Sequence, residues 1–164
     1  MPDQMKANEI KKQAQELLES GQVGGAAART SGLVEQPIPV LDANHQQHSW
    51  FVPVTIGSLL AAFFEFQTDG TLIRYSSFQR REDSLDGCPT AESWIDAESI
   101  RRRLTNDFPD QQVTDLFFSY DRTPARLAWR ALLEPHGGGA MRTYYVAGGT
   151  VWESAPPAAG ENSF

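Results

Sequence analysis

The 164 residues predict an α+β fold built from two similar units, each of one helix packed on a four-stranded antiparallel sheet. Three observations carry this prediction. Two segments space their apolar residues by three and four, the pattern of a helix that buries one face. Each is followed by short runs rich in β-branched and aromatic residues, separated by turn formers. The two series also align with one another at an offset of 79 residues, the mark of an internal duplication. The first unit is expected over residues 1–78 and the second over 96–154, with a linker loop at 79–95 between them.

The first helix is expected over about residues 5–20. Ala7, Ile10, Ala14, Leu17 and Leu18 fall on one side, Lys6, Lys11, Lys12, Gln13 and Glu16 on the other, and Gly21 ends it. Residues 21–36 hold four glycines and a run of alanines and are read as a linker, in which Ala26 to Arg29 have the composition for one helical turn. Strands are expected at 38–41, 48–54, 58–67 and 71–78, within a strand region of 37–78. Asp42-Ala43-Asn44, Gly57 and Thr68-Asp69-Gly70 separate them. Asp69-Gly70 predicts a two-residue hairpin turn, in which both central residues take positive φ.

The linker at 79–95 is charged and broken by Gly87 and Pro89. A second helix is expected to start at Asp96 as its cap and to run to Asn106. Its inward face would carry Ala97, Ile100 and Leu104 and its outward face Arg101, Arg102 and Arg103, with Phe108-Pro109 stopping it. Strands follow at 113–120, 125–133, 141–146 and 151–154. In the second of these, Leu127, Trp129, Ala131 and Leu133 alternate with Arg126 and Arg130, so the tryptophan side should face a core. The proline-, alanine- and glycine-rich residues 155–164 are expected to be a disordered tail.

The repeat places Trp50 on Trp129, Asp42 on Asp121, Phe66 on Tyr145, and Gly70-Thr71 on Gly149-Thr150 in a single frame. Each tryptophan would then be the central core residue beneath its own helix.

The second unit has a helix ending in Phe108-Pro109, a strand, a turn containing Pro124 and a strand with Ala128-Trp129-Arg130. A Tyr144-Tyr145-Val146 strand and a turn closing on Gly149-Thr150-Val151 complete it. This order resembles a PepSY-type, propeptide-like domain and, more broadly, the cystatin-like arrangement of a helix wrapped by an antiparallel sheet. The resemblance covers residues 93–154 directly and 38–78 through the repeat. It implies a non-catalytic role as a protease propeptide, inhibitor or interaction module. Such domains act mostly outside the cytoplasm, whereas no signal peptide is visible in this sequence. The shared pattern is one of packing, so no residue role is carried over from it.

Composition narrows the function classes. Fourteen basic against 21 acidic residues give a charge of -7 and a pI near 4.9, which disfavours binding to nucleic-acid phosphates or anionic lipid. Six arginines between positions 74 and 103 are balanced by Glu82, Asp83, Asp86, Glu92, Asp96 and Glu98, so they form no basic patch. One cysteine, Cys88, cannot close a disulfide within the chain. The longest apolar run, Leu59 to Phe64, is too short for a bilayer. A cytoplasmic location is the expectation, with no membrane or nucleic-acid partner.

The best local grouping of chemically able side chains is Asp42, His45 and His48, a possible polar site. A closed metal site needs three or four ligands with supporting contacts, so no metal is assigned to it. Cys88 lies in an acidic loop that disfavours the thiolate, and the glycines around His136 come with no nucleophile motif. No catalytic residue and no cofactor is predicted. The expectation is a non-enzymatic protein-binding module, of inhibitor or immunity type, acting through sheet edges and an aromatic surface of Phe51, Phe63, Phe118 and Tyr144, the other reading of these four being burial against the other unit. Its partner would be another protein, a basic one suiting the charge. The alternative is a small-molecule-binding protein or enzyme that uses the concave face of a curved sheet.

Overall fold

The computed structural model describes residues 2–81 and 84–154, and the tail expected at 155–164 lies outside the described residues. Among the described residues the fold is α+β, with four helices and two antiparallel sheets. Helices α1 (Pro2–Glu19) and α2 (Ala26–Ser31) precede the first sheet. That sheet holds β1 (Leu33–Val34), β2 (Ile38–Leu41), β3 (Gln47–Ile56), β4 (Leu59–Gln67) and β5 (Leu72–Ser77). Helices α3 (Glu92–Ile95) and α4 (Ala97–Asp107) lead into β6 (Gln111–Tyr120), β7 (Leu127–Pro135), β8 (Arg142–Ala147) and β9 (Thr150–Glu153). β1 and β2 both pair with β3, which continues to β4 and β5; the second sheet runs β6-β7-β8-β9.

α1 buries Ala7, Ile10, Ala14 and Leu18, the periodic stripe of the sequence, against Trp50, Val52, Val54, Phe64 and Phe66. The alanines let the helix axis come close to the sheet, while Ile10 and Leu18 each contribute about 1.5–3 kcal/mol through burial. Its polar flank reaches the β4–β5 turn, where Lys6 Nζ donates to the Asp69 carbonyl (3.2 Å) and Gln13 Nε2 to the Gly70 carbonyl (2.9 Å).

The other face of this sheet is covered too. Val40, Phe51 and Phe63 enter a second core together with Ile100 and Leu104 of α4 and Phe118, Leu127, Trp129, Leu133, Tyr144 and Val146 of the second sheet. Cover on both sides explains why residues 49–55 and 60–66 are buried without alternation. α4 is capped by Asp96, whose Oδ1 accepts from the Glu98 and Ser99 amides (3.1 and 3.3 Å).

Several expectations need correction. Residues 21–36 are more than a linker: Ala26, Ala27 and Ala28 support α2, Ala28 is fully buried, and β1 adds a fifth strand to the first sheet. The 79–95 loop contains α3, and Thr90 bridges to Leu59. The Asp69-Gly70 turn is also different from the expected one. Gly70 has φ +98° but Asp69 is not in the left-handed region, and the Gly70 amide donates to the Gln67 carbonyl (2.9 Å). A three-residue loop of this kind closes with one left-handed residue, so the glycine alone is required. Finally, Phe51, Phe63, Phe118 and Tyr144 are core residues and not surface anchors, with 0%, 8%, 1% and 7% of their surface exposed. Strand alternation turned them away from the helix beneath Trp50, or towards α4, and in both cases another layer covers them. Phe51 contacts both Phe63 (4.8 Å between ring centres) and Phe118 (4.7 Å), and Phe118 contacts Trp129 (5.3 Å). These rings form the seam between the two sheets.

Candidate functional site

Where the seam reaches the surface it opens into a cleft of about 280 Å³. β4 supplies Phe63, β5 supplies Arg74, and Phe78 follows β5. Trp94 of α3 forms one wall, and Leu127 and Trp152 of β7 and β9 form another, with Ala125 and Arg126 of the β6–β7 turn at the rim. The rings touch in series: Phe63 to Phe78 (5.9 Å) and Phe78 to Trp94 (5.5 Å). Phe78, Trp94 and Trp152 are half-buried, so each keeps part of its face in the cleft.

Each wall is fixed from behind. The Trp94 carbonyl accepts from Trp129 Nε1 (2.7 Å), which ties α3 to β7. Its indole lies against Gly148 in the β8–β9 turn, where φ is +61° and a Cβ would sit 2.9 Å from Trp94 Nε1. Trp152 Nε1 donates to Asp121 Oδ2 (2.9 Å), and its ring stacks on Tyr145 (5.9 Å). Burial pushes the Tyr145 phenol up from its ordinary value, with nearby Arg130 opposing that shift.

The floor is polar. Glu65 is 2% exposed, and both of its oxygens are occupied: Oε1 accepts from Arg74 Nε (3.0 Å) and Oε2 from Ser49 Oγ (2.9 Å). The Arg74 guanidinium also lies over the Phe63 ring, 5.2 Å from its centre. A second opening of about 250 Å³ shares Arg74 and Ala125 with the first and is bordered by His48, Ile73 and Pro124, with Glu65 beneath. Ile73 is 42% exposed because the pairing shifts at this point: Glu65 faces Arg74 while Phe66 faces Leu72, leaving Ile73 as the extra residue.

The expected polar site does not assemble. Asp42 Oδ1 accepts from the Asn44 and Gln46 amides (2.8 and 3.0 Å) and so shapes its own turn. His45 turns away to Asp115 Oδ2 on β6 (2.7 Å) and lies on Phe117. His48 bonds Ser49 Oγ through Nδ1 (3.0 Å), which links it to the Ser49–Glu65–Arg74 network. Among the described residues no group of three or more His, Cys, Asp or Glu is placed to hold a metal. Cys88 is held in its thiol form by burial and by Asp86.

Sequence reasoning missed Glu65, Arg74, Phe78, Trp94 and Trp152. One signal was available, the lone carboxylate Glu65 inside the apolar run from Leu59 to Phe66. A charge at such a position needs a partner.

The chain matches no family model, no curated protein and no solved structure. Among the described residues no helix is long and apolar enough to cross a membrane.

Proposed function

We propose that this chain is a non-enzymatic protein-binding module whose contact point is the aromatic cleft at the seam. One observation carries the reading: Phe78, Trp94 and Trp152 line a single opening, half-buried, with Trp152 Nε1 bonded to Asp121 and the Trp94 carbonyl to Trp129 Nε1, and with no element of the described chain covering them. Rigid aromatics around a pocket are what interfaces use as anchor sites, since little side-chain entropy is lost on binding. The cleft volume, about 280 Å³, lies just below the range of roughly 300–1,000 Å³ typical of small-molecule sites and suits one inserted side chain. Edge pairing is less favoured at two of the sheet edges. β5 carries a bulge at Ile73 and β9 has only four residues, two devices that blunt strand addition. The charge of -7 favours a partner that is basic overall, through steering at a distance.

The proposal includes the internal duplication and the PepSY-like, cystatin-like character of the units. Its support is that Trp50 and Trp129 each lie on a strand one place in from the sheet edge, beneath α1 and α4 respectively.

The test is selection of a random twelve-residue peptide library, displayed without free termini, on the full chain. Binders should compete with one another for one site and lose affinity on Trp152→Ala or Phe78→Ala, with both variants still unfolding cooperatively. Absence of binders, or binders indifferent to both substitutions, overturns the reading.

A further inference from the structure

We infer that the cleft selects a carboxylate beside a large apolar side chain, so that the partner presents an Asp or Glu adjoining a Trp, Phe or Leu. This rests on the binding reading above and adds the chemistry of what enters. Arg74 is the centre of the argument. Its Nε is taken by Glu65, and its plane rests on Phe63, so the guanidinium is held at two points. Nη1 and Nη2 hydrogen-bond to no protein group among the described residues, and neither is a buried orphan. With one-third of the side chain exposed, Arg74 presents these nitrogens where the two openings meet.

A guanidinium fixed in this way is prepared for a carboxylate, which accepts from two adjacent N–H groups at once. Glu65 does not compete for that edge. It holds Arg74 through Nε, and its second oxygen accepts from Ser49 Oγ. At the rim Arg126 is 60% exposed and stands 3.8 Å from Asp121, whose Oδ2 already accepts from Trp152 Nε1. Arg126 thus adds a second cation on the same side. Here two partly exposed arginines flank an aromatic pocket, while the carboxylates they pair with, Glu65 and Asp121, are almost fully buried. The occupant that complements both features is a short acidic and aromatic segment of another protein.

The library binders provide the experiment. Synthetic copies with blocked termini are compared with copies in which each Asp or Glu is replaced by Asn or Gln, on four proteins: the unaltered chain, Arg126→Gln, Trp152→Ala and the double variant Glu65→Gln/Arg74→Gln. Removing Glu65 and Arg74 together avoids a stranded buried charge, and Arg126→Gln removes an exposed cation while Asp121 keeps its hydrogen bond from Trp152 Nε1. On the unaltered chain the acidic copies should bind about tenfold or more tightly than the amide copies, the usual value of a hydrogen-bonded charge. That preference should fall to below about twofold in the double variant and weaken in Arg126→Gln. Equal binding of acidic and amide copies, with Trp152→Ala still abolishing it, overturns the carboxylate inference and leaves the cleft as a binding site. Binders that ignore Trp152→Ala and Phe78→Ala alike overturn both. An acidic preference unchanged in both arginine variants also overturns the inference.

Discussion

His45 and Asp115 meet at 2.7 Å across the boundary between the two sheets, one from the turn before β3 and the other from β6. Both side chains are well exposed, at 52% and 36%, so solvent screens the pair and its contribution is small. The backbone at His45 matters more, because its φ of +63° lies in the left-handed region. Asp115→Asn should cost less than about 1 kcal/mol. His45→Val should cost about 1–2 kcal/mol through backbone strain, whereas His45→Gly is tolerated. Urea unfolding of the three variants separates the two contributions.

Phe51 and Phe118 should behave as core residues. Truncating either to alanine leaves a cavity at the seam and is expected to cost about 3–5 kcal/mol. Phe78→Ala, at a half-buried position, should cost clearly less. Thermal unfolding monitored by circular dichroism ranks the three, and a Phe51→Ala loss no larger than that of Phe78→Ala would contradict the assignment of the seam as core.

Glu65 and Arg74 should show strong coupling. Arg74→Met leaves Glu65 buried without its cation, and a loss of about 3–5 kcal/mol is expected. Combining it with Glu65→Gln should restore much of that, since the stranded charge is gone. A double-mutant cycle in urea measures the coupling, and additive losses would remove the argument that this pair acts as a unit.

The Tyr75 hydroxyl is buried with no hydrogen-bond partner, and burial pushes its phenol up from the ordinary value. The folded state therefore holds this proton more tightly than the unfolded chain. Stability from this group is complete below about pH 10 and is lost as pH rises through the folded value. Tyr75→Phe should be neutral or stabilising by up to about 1 kcal/mol at pH 7, because an unpaired polar group is removed. It should also flatten part of the alkaline decline, while Tyr145, shifted in the same direction, keeps the remainder. Unfolding free energies at pH 8 and pH 11 test both statements.

Much of the fold is legible in the sequence because its signals are local. The stripe from Ala7 to Leu18, the cap at Asp96 and the apolar runs of β2 to β9 each depend on neighbours a few residues away. What was not legible depends on packing between distant segments. Strand alternation shows that Phe51 and Trp50 point to opposite faces, but it does not show that a second sheet covers the Phe51 side. For the same reason the cleft was hidden: Arg74, Trp94 and Trp152 come from three elements, and only the docking of the sheets brings them together. The histidines stood close in sequence and were more visible than they were connected.

The burial of both faces of the first sheet has a consequence during synthesis. β3, β4 and β5 leave the ribosome well before α4 and β6 to β9, so at about 5–20 residues per second the Phe51 and Phe63 face waits some seconds for its cover. In that interval the run from Leu59 to Phe66 is an exposed apolar strand of the kind that self-associates. Glu65 and Arg74 stand on that same face and would then be hydrated charges interrupting it, gatekeepers against aggregation before Glu65 is buried in its pair with Arg74.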